Sequence, residues 1–96
     1  MRKAVIDLGT NTFNLLIGDM INGKLNLVYT DKKPVLLGMG GINDRRISKD
    51  AMERAVEAMV GFKTLCNEHD VERIKAIGTS AIRDAVNQRE FLETIL

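Results

Sequence analysis

A short apolar run that ends in a carboxylate and a glycine turn, Ala4-Val5-Ile6-Asp7-Leu8-Gly9-Thr10-Asn11-Thr12, constrains this chain more than any other stretch. A second apolar run, Leu15-Leu16-Ile17, follows it closely. Strand, polar turn, strand is the predicted order, with Asp7 at the end of a mostly buried first strand. An unpaired carboxylate there is costly, so its presence asks for a reason. One reading makes the turn an anion cradle. Free N–H groups and hydroxyls then face phosphate, and Asp7 holds a hard cation such as Mg²⁺. The other reading is an ordinary β-turn, with Gly9 at positive φ and Asp, Thr and Asn as turn formers. These nine residues alone leave both readings open.

The predicted first strand covers residues 2–7 and the second residues 13–20. Asn22-Gly23 is a strong hairpin signal, because both residues tolerate positive φ. In the third strand Leu25, Leu27 and Tyr29 alternate with Asn26, Val28 and Thr30, which places the first three on one face. Lys32-Lys33-Pro34 interrupts that strand: proline cannot donate to a ladder, so this part is an edge, a bulge or an end. The opening third therefore reads as a three-stranded antiparallel meander.

Leu37 to Asp44 is glycine-rich. Its spacing fits neither the dinucleotide fingerprint nor a P-loop, so it reads as a flexible connection. Ser48 is a good N-cap and Asp50 suits a first helical turn. A helix is predicted from there to about His69, with Met52, Ala55, Val56, Met59, Phe62 and Cys66 on its apolar face. Gly61 inside it implies close packing against a neighbour. Residues 71–80 then read as a strand entering a second polar turn. A short helical turn follows at 81–86. Asn87 caps a last helix, with Phe91, Leu92 and Ile95 on its apolar side, still apolar where the sequence reaches Leu96.

Charge narrows the function classes. Fourteen basic and thirteen acidic residues give a net charge of +1. That gives no general case for a nucleic-acid or membrane partner, so any anion site must be local. One cysteine, Cys66, fits a reducing compartment. Met1-Arg2-Lys3 leads into too few apolar residues for a secretory leader, and no apolar run approaches a membrane span. These features predict a cytoplasmic protein.

A second polar strand end supplies the local site. Thr79, Ser80 and Arg83 stand where the fourth strand meets a helix. Two hydroxyls and a guanidinium beside a helix start form an anion site, or else a cap with a surface ion pair. If the first and fourth strands are adjacent and parallel, both polar loops open on one sheet edge. One extended anion would then touch both.

The residues now form a recognisable pattern. Asp7-Leu8-Gly9-Thr10-Asn11-Thr12, Leu37-Gly38-x-Gly40 and the Ile47-Ser48 helix start are its first parts. The narrowest part is Gly78-Thr79-Ser80-Ala81-Ile82-Arg83-Asp84-Ala85-x-Asn87 with Glu90-Phe91-Leu92. Together they resemble the amino-terminal part of the exopolyphosphatase and guanosine pentaphosphate phosphatase family. The likeness runs through essentially the whole chain. It implies an α/β, ribonuclease-H-like (actin-like ATPase) fold, here partial. It also implies hydrolysis of the terminal phosphate of polyphosphate, or of guanosine pentaphosphate, with Mg²⁺ or another divalent cation. Asp7 would lie near the metal. Gly9, Thr10, Asn11, Thr12, Thr79, Ser80 and Arg83 would hold phosphate oxygens, with Arg83 clamping two at once.

Two departures matter. Asn14 stands where such proteins often carry a basic residue. The Ser-Gly-x-x-Glu segment that would supply the catalytic glutamate, and a second loop Asp-x-Gly-Gly-Gly, do not occur in the 96 residues. The resemblance implies that both lie beyond Leu96. The expectation is residues 1–96 as the first part of one truncated phosphatase domain, inactive alone and with no catalytic residue of its own. Two alternatives stand beside it. One is a piece of a nucleotide-dependent kinase or ATPase of the same larger group. The other is a non-catalytic module that binds polyphosphate or only assembles, with an unpaired fourth strand favouring a homodimer.

Overall fold

The computed structural model describes residues 1–36, 42–43, 46–78, 89 and 93. β1 (Arg2–Leu8) pairs antiparallel with β2 (Thr12–Ile21), from Arg2 opposite Asp19 to Leu8 opposite Phe13. β2 turns through Asn22-Gly23 into β3 (Lys24–Pro34), again antiparallel. Both turn residues take positive φ, 52° and 77°, the twist that suits a two-residue hairpin. A two-rung ribbon follows, β4 (Ile42–Asn43) with β5 (Arg46–Ile47), and then helix α1 (Lys49–Glu68). The chain returns as β6 (Arg73–Gly78), parallel to β1, so the sheet order is β3-β2-β1-β6. Meander, helix and parallel strand are the partial ribonuclease-H-like arrangement that the sequence predicts.

Helix α1 covers one face of that sheet. Ser48 caps it as expected, its Oγ accepting from the Ala51 N–H at 3.1 Å. Ala51, Ala55, Ala58, Met59, Phe62 and Cys66 are buried against Ala4, Ile6, Leu8, Phe13, Leu15 and Ile17. The three alanines let the helix lie close to the strands. The buried stripe is rotated slightly from the predicted one: Ala51 and Ala58 join it on one side, and Met52 and Val56, on the other, are only partly buried. Gly61 faces the Lys33 side chain, whose Cε would lie 2.7 Å from an added Cβ. That neighbour is the flexible end of a lysine, which can move aside, so the contact does not by itself require glycine. Burial raises the Cys66 thiol above its ordinary pKa, which leaves it inert.

The helix ends in a Schellman turn. Asp70 takes φ 55°, its N–H donates to the Asn67 carbonyl, and the Val71 N–H donates to the Cys66 carbonyl. His69 Nδ1 donates to the Leu65 carbonyl at 2.8 Å, and its ring stacks on Tyr29 with centroids 4.7 Å apart. Arg2 ties this end to the sheet. Its fork meets Asp19 at 2.8 and 3.1 Å, and its third nitrogen donates to the His69 carbonyl at 2.9 Å.

The hydrogen bonds from Arg2, above all, hold the Asp19 carboxyl below its ordinary value of 3.8. A lowered folded pKa stabilises the folded chain above the unfolded value and loses that contribution as pH falls through the folded one. Asp19→Asn should therefore lower the denaturation midpoint modestly at pH 7. The gap to the unmutated chain should close progressively below about pH 4. A gap that persists unchanged at pH 2 would show that the charge is not what Asp19 contributes.

Four expectations need correction. The first concerns only where β3 is interrupted: it runs on through Lys32 and Lys33 to Pro34, opposite Thr12, so the proline is the end of an outer strand, in keeping with the reading of this part as an edge, a bulge or an end. Leu25 and Leu27 do not share a face with Tyr29. Tyr29 pairs with Ile17 but Leu27 pairs with Gly18, so Val28 is an extra, bulged residue that reverses the alternation. Gly18 makes room for the bulge: a Cβ there would lie 2.8 Å from the Asn26 carbonyl oxygen. The glycine-rich connection contains the β4–β5 ribbon. Finally, β1 is buried on one face only, and Asp7 is exposed.

Of the predicted glycine-rich connection at 37–44, residues 37–41 and 44 lie outside the described residues, as do the helical turn at 81–86 and Thr79, Ser80 and Arg83. So does Leu96, the position past which the catalytic glutamate is expected. Of the predicted last helix, Arg89 and Glu93 are helical and exposed.

Candidate functional site

Alternation divides each strand between two faces, and register aligns the faces across the sheet. Ala4, Ile6 and Leu8 face the helix, so Lys3, Val5 and Asp7 face the other way. At the sheet end, Asp7 pairs with Ile77 on one side and Asn14 on the other, and Asn14 pairs with Lys32. Ile77, Asp7, Asn14 and Lys32 therefore form one row on the face away from α1. Asp7, Asn14, Leu15, Leu16, Thr30, Asp31 and Lys32 line an open groove of about 670 Å³.

Two features of this row are chemical. Asp7 and Lys32 are exposed, and among the described residues neither has an ion-pair partner. They stand two strands apart, about 10 Å between backbones at the usual strand spacing. A lysine side chain can span much of that distance, yet among the described residues the two are not paired, and a ligand can lie between them. The exposure of Asp7 also removes the burial cost that singled it out: it is a strand-end carboxylate presented to solvent.

The bulge at Val28 decides which side chain reaches the groove. A strict count from the Asn22-Gly23 turn would set Asp31 opposite Asn14 and turn Lys32 toward Phe13 in the core. The extra residue moves Lys32 to Asn14 and Asp31 to Leu15, on the helix side. There Asp31 meets Lys33 at 3.9 Å. Sequence reasoning missed Lys32 as a functional residue. The signal was the unmet need for a base at Asn14, but local sequence holds no trace of the cross-strand partner.

The turn beside the groove is tightly held. Gly9, Thr10 and Asn11 connect β1 to β2, with Thr12 as the first β2 residue. Gly9 does not take positive φ. It is glycine because an added Cβ would lie 2.6 Å from the Thr12 carbonyl oxygen. The Asn11 carbonyl accepts from the Val35 and Leu36 N–H groups, at 2.9 and 3.0 Å. Leu8 pairs with Gly78, so β1 and β6 end side by side. Gly9 follows β1 at that sheet end, and Thr79, the next residue after β6 in sequence, lies outside the described residues. The adjacency of β1 and β6 is the condition set out above for the two polar loops to share one anion.

As a cation site, the row offers one carboxylate. No group of three or more His, Cys, Asp or Glu converges among the described residues. A single exposed carboxylate fits Mg²⁺, which keeps most of its waters and takes further oxygens from a bound phosphate. It does not fit a cage built by protein alone. No helix of the described residues is long and apolar enough to cross a membrane.

Comparison with known proteins gives the family and the fold. The sequence profile of the Ppx/GppA phosphatase family matches residues 16–96. The chain is 36% identical over 94 residues to Exopolyphosphatase 2 of Mycobacterium tuberculosis, covering 94% of this chain and 30% of that protein. It is 34% identical over 90 residues to the guanosine-5'-triphosphate,3'-diphosphate pyrophosphatase of Aliivibrio fischeri, covering 94% of this chain and 18% of that one. The chain thus spans under a third of the length of these curated relatives. Among solved structures, an exopolyphosphatase from Cytophaga hutchinsonii superposes with a TM-score of 0.90 at 40% identity, over 99% of this chain and 30% of that chain. The Aquifex aeolicus Ppx/GppA family member gives 0.87 at 36% identity, over 99% and 31%.

Proposed function

Because this chain belongs to the Ppx/GppA phosphatase family, we propose that it is the amino-terminal portion of one ribonuclease-H-like domain that hydrolyses phosphoric anhydrides. The substrate is inorganic polyphosphate or guanosine pentaphosphate, and the compartment is the cytoplasm. The observation that carries this reading is the row Asp7–Asn14–Lys32 beside the shared end of β1 and β6. It sets an acid, an amide and a base along a groove next to the Gly9–Thr12 turn. A divalent cation at Asp7 would neutralise phosphate charge and fix the chain's orientation. Thr10, Asn11 and Thr12 face phosphate oxygens through hydroxyl, amide and backbone N–H groups. Thr79, Ser80 and Arg83 complete the hold from the end of β6. Lys32 supplies the charge that Asn14 lacks. Catalysis on such a scaffold rests on positioning and charge neutralisation.

The 96 residues bind without turning over. Their sequence holds neither Ser-Gly-x-x-Glu nor Asp-x-Gly-Gly-Gly, the segments from which the family resemblance takes the water-activating glutamate and the second phosphate loop. β6 has β1 as its one strand neighbour among the described residues. The outer edge of β6 is where a second copy would pair.

Calorimetry with tripolyphosphate tests the reading. Binding should require Mg²⁺, and no orthophosphate should be released. Lys32→Ala should raise Kd about tenfold or more, the weight of one charge-assisted hydrogen bond, and Lys32→Arg should restore it. Asp7→Asn should make what binding remains indifferent to Mg²⁺. Tripolyphosphate binding that ignores Mg²⁺, Asp7 and Lys32 alike would sink the proposal. Binding of ATP but not tripolyphosphate would favour a kinase-like relative instead.

A further inference from the structure

The turn that faces the groove is held by a residue far from it in sequence. Arg54 projects from α1 to the point where the chain leaves β3. Its Nε donates to the Val35 carbonyl at 2.7 Å, and its Nη2 donates to the Leu36 carbonyl at 3.3 Å. The Val35 carbonyl and the Leu36 N–H belong to one peptide plane. A trans peptide points these two groups in opposite directions and resists twisting. The N–H on the far side of that plane donates to the Asn11 carbonyl at 3.0 Å, and the Val35 N–H joins it at 2.9 Å. A cation on one side of a rigid peptide thus fixes a carbonyl on the other. Polarisation along such a chain of hydrogen bonds strengthens each of them.

Two further observations show that this arrangement is specific. Leu36 takes φ 53°, a left-handed conformation that a branched non-glycine residue rarely adopts. Something must hold it there, and the bonds at both ends of the Val35–Leu36 segment do so. Val35 is fully buried, so the segment cannot swing outward as a unit. The Asn11 carbonyl belongs in turn to the peptide that carries the Thr12 N–H. Fixing the carbonyl toward Val35 and Leu36 therefore points that N–H the opposite way.

We propose that Arg54 is a positioning residue for the Gly9–Thr12 turn. It acts through the Val35–Leu36 peptide and sets, from helix α1, the geometry that this turn offers to phosphate. The part concerning phosphate rests on the function proposed above; the part concerning the turn does not.

The test uses the full chain in three variants. Arg54→Ala removes the fork. Arg54→Lys keeps the charge and the stem but cannot reach both carbonyls as a planar fork does. Arg2→Ala removes an equally forked guanidinium at the other end of the sheet and controls for general destabilisation. In Arg54→Ala, the Leu36 amide should exchange about tenfold faster relative to that of Ile6, the loss expected for one relayed hydrogen bond. The amide resonances of Asn11 and Thr12 should shift, and Kd for Mg²⁺ and tripolyphosphate should rise by about the same factor. Arg54→Lys should fall between, and it carries the test if Arg54→Ala does not fold. Arg2→Ala should leave the turn resonances and Kd unchanged.

Faster exchange at Leu36 with unmoved Asn11 and Thr12 resonances would overturn the relay. So would an equal response in Arg2→Ala. If the unmutated chain does not bind tripolyphosphate, the phosphate reading fails by itself. The exchange rates and resonances then still decide whether Arg54 positions the turn.

Discussion

Phe13→Ala is expected to cost about 3–5 kcal/mol of stability, the usual range for a large aromatic cut back in a core. Phe13 is fully buried and stands opposite Leu8 at the last rung of β1 and β2. Its ring fills the space between the sheet end and α1, where no other large side chain of β2 can move in. A domain of this size holds about 5–15 kcal/mol in total, so the variant is left near the edge of folding. The melting temperature should fall by about 15–30 °C on the usual scaling for chains of about 100 residues. Leu27→Ala is the matched control. Leu27 is 59% exposed on the open face, and its truncation should cost well under 1 kcal/mol, as surface changes do. A loss under about 1 kcal/mol at Phe13 would mean that the sheet end is not packed as described.

Phe13 also shows how far the fold was legible in the sequence. Local signals were sufficient where the physics is local. Asn22-Gly23 specified a two-residue turn and Ser48 specified the helix start to the residue, whereas β1, read as mostly buried, is buried on one face only. The parallel placement of β6 beside β1 was a condition that the residues left open and that the family resemblance implied. What local sequence could not carry was information about partners. Val28 looks like an ordinary member of an alternating run. It becomes a bulge only because Gly18 on the neighbouring strand leaves room for the Asn26 carbonyl. That one extra residue exchanges the positions of Asp31 and Lys32.

The candidate site divides along the same line. Asp7 and the Gly9–Thr12 turn were visible as a motif, because a carboxylate, a glycine and hydroxyls in sequence are themselves the signal. Lys32 and Arg54 were not visible. One reaches the groove through strand register, and the other reaches the turn through a peptide of β3's exit. Gly9 was recognised for the wrong reason: it serves close approach rather than positive φ. A sheet end organised this way places its charges on rigid strands. Its turn is left to be shaped by contacts from the helix and from β3. Sequence motifs therefore mark where the site is, while long-range contacts decide whether it is in working geometry.

Gly9→Ala separates these two levels. The added Cβ would begin 2.6 Å from the Thr12 carbonyl oxygen. Real Cβ atoms do not approach so closely, so the turn must open by several tenths of an ångström. The obstacle is backbone, not the free end of a flexible side chain, and the Asn11 carbonyl beside it is already held by Val35 and Leu36. Global stability should drop by about 1–3 kcal/mol, the range for overpacking. The effect on the site should be larger in proportion. Displacing groups that must meet one anion by a distance of that order can cost about a hundredfold, so Kd for Mg²⁺ and tripolyphosphate should rise by up to that factor. Exposed turn substitutions such as Asn22→Ala, at the far hairpin, should leave Kd alone while also lowering stability. If Gly9→Ala and Asn22→Ala weaken binding equally, the turn contributes to folding but not to holding phosphate. If Gly9→Ala alone does so, the close approach of Gly9 to Thr12 is what shapes the cradle.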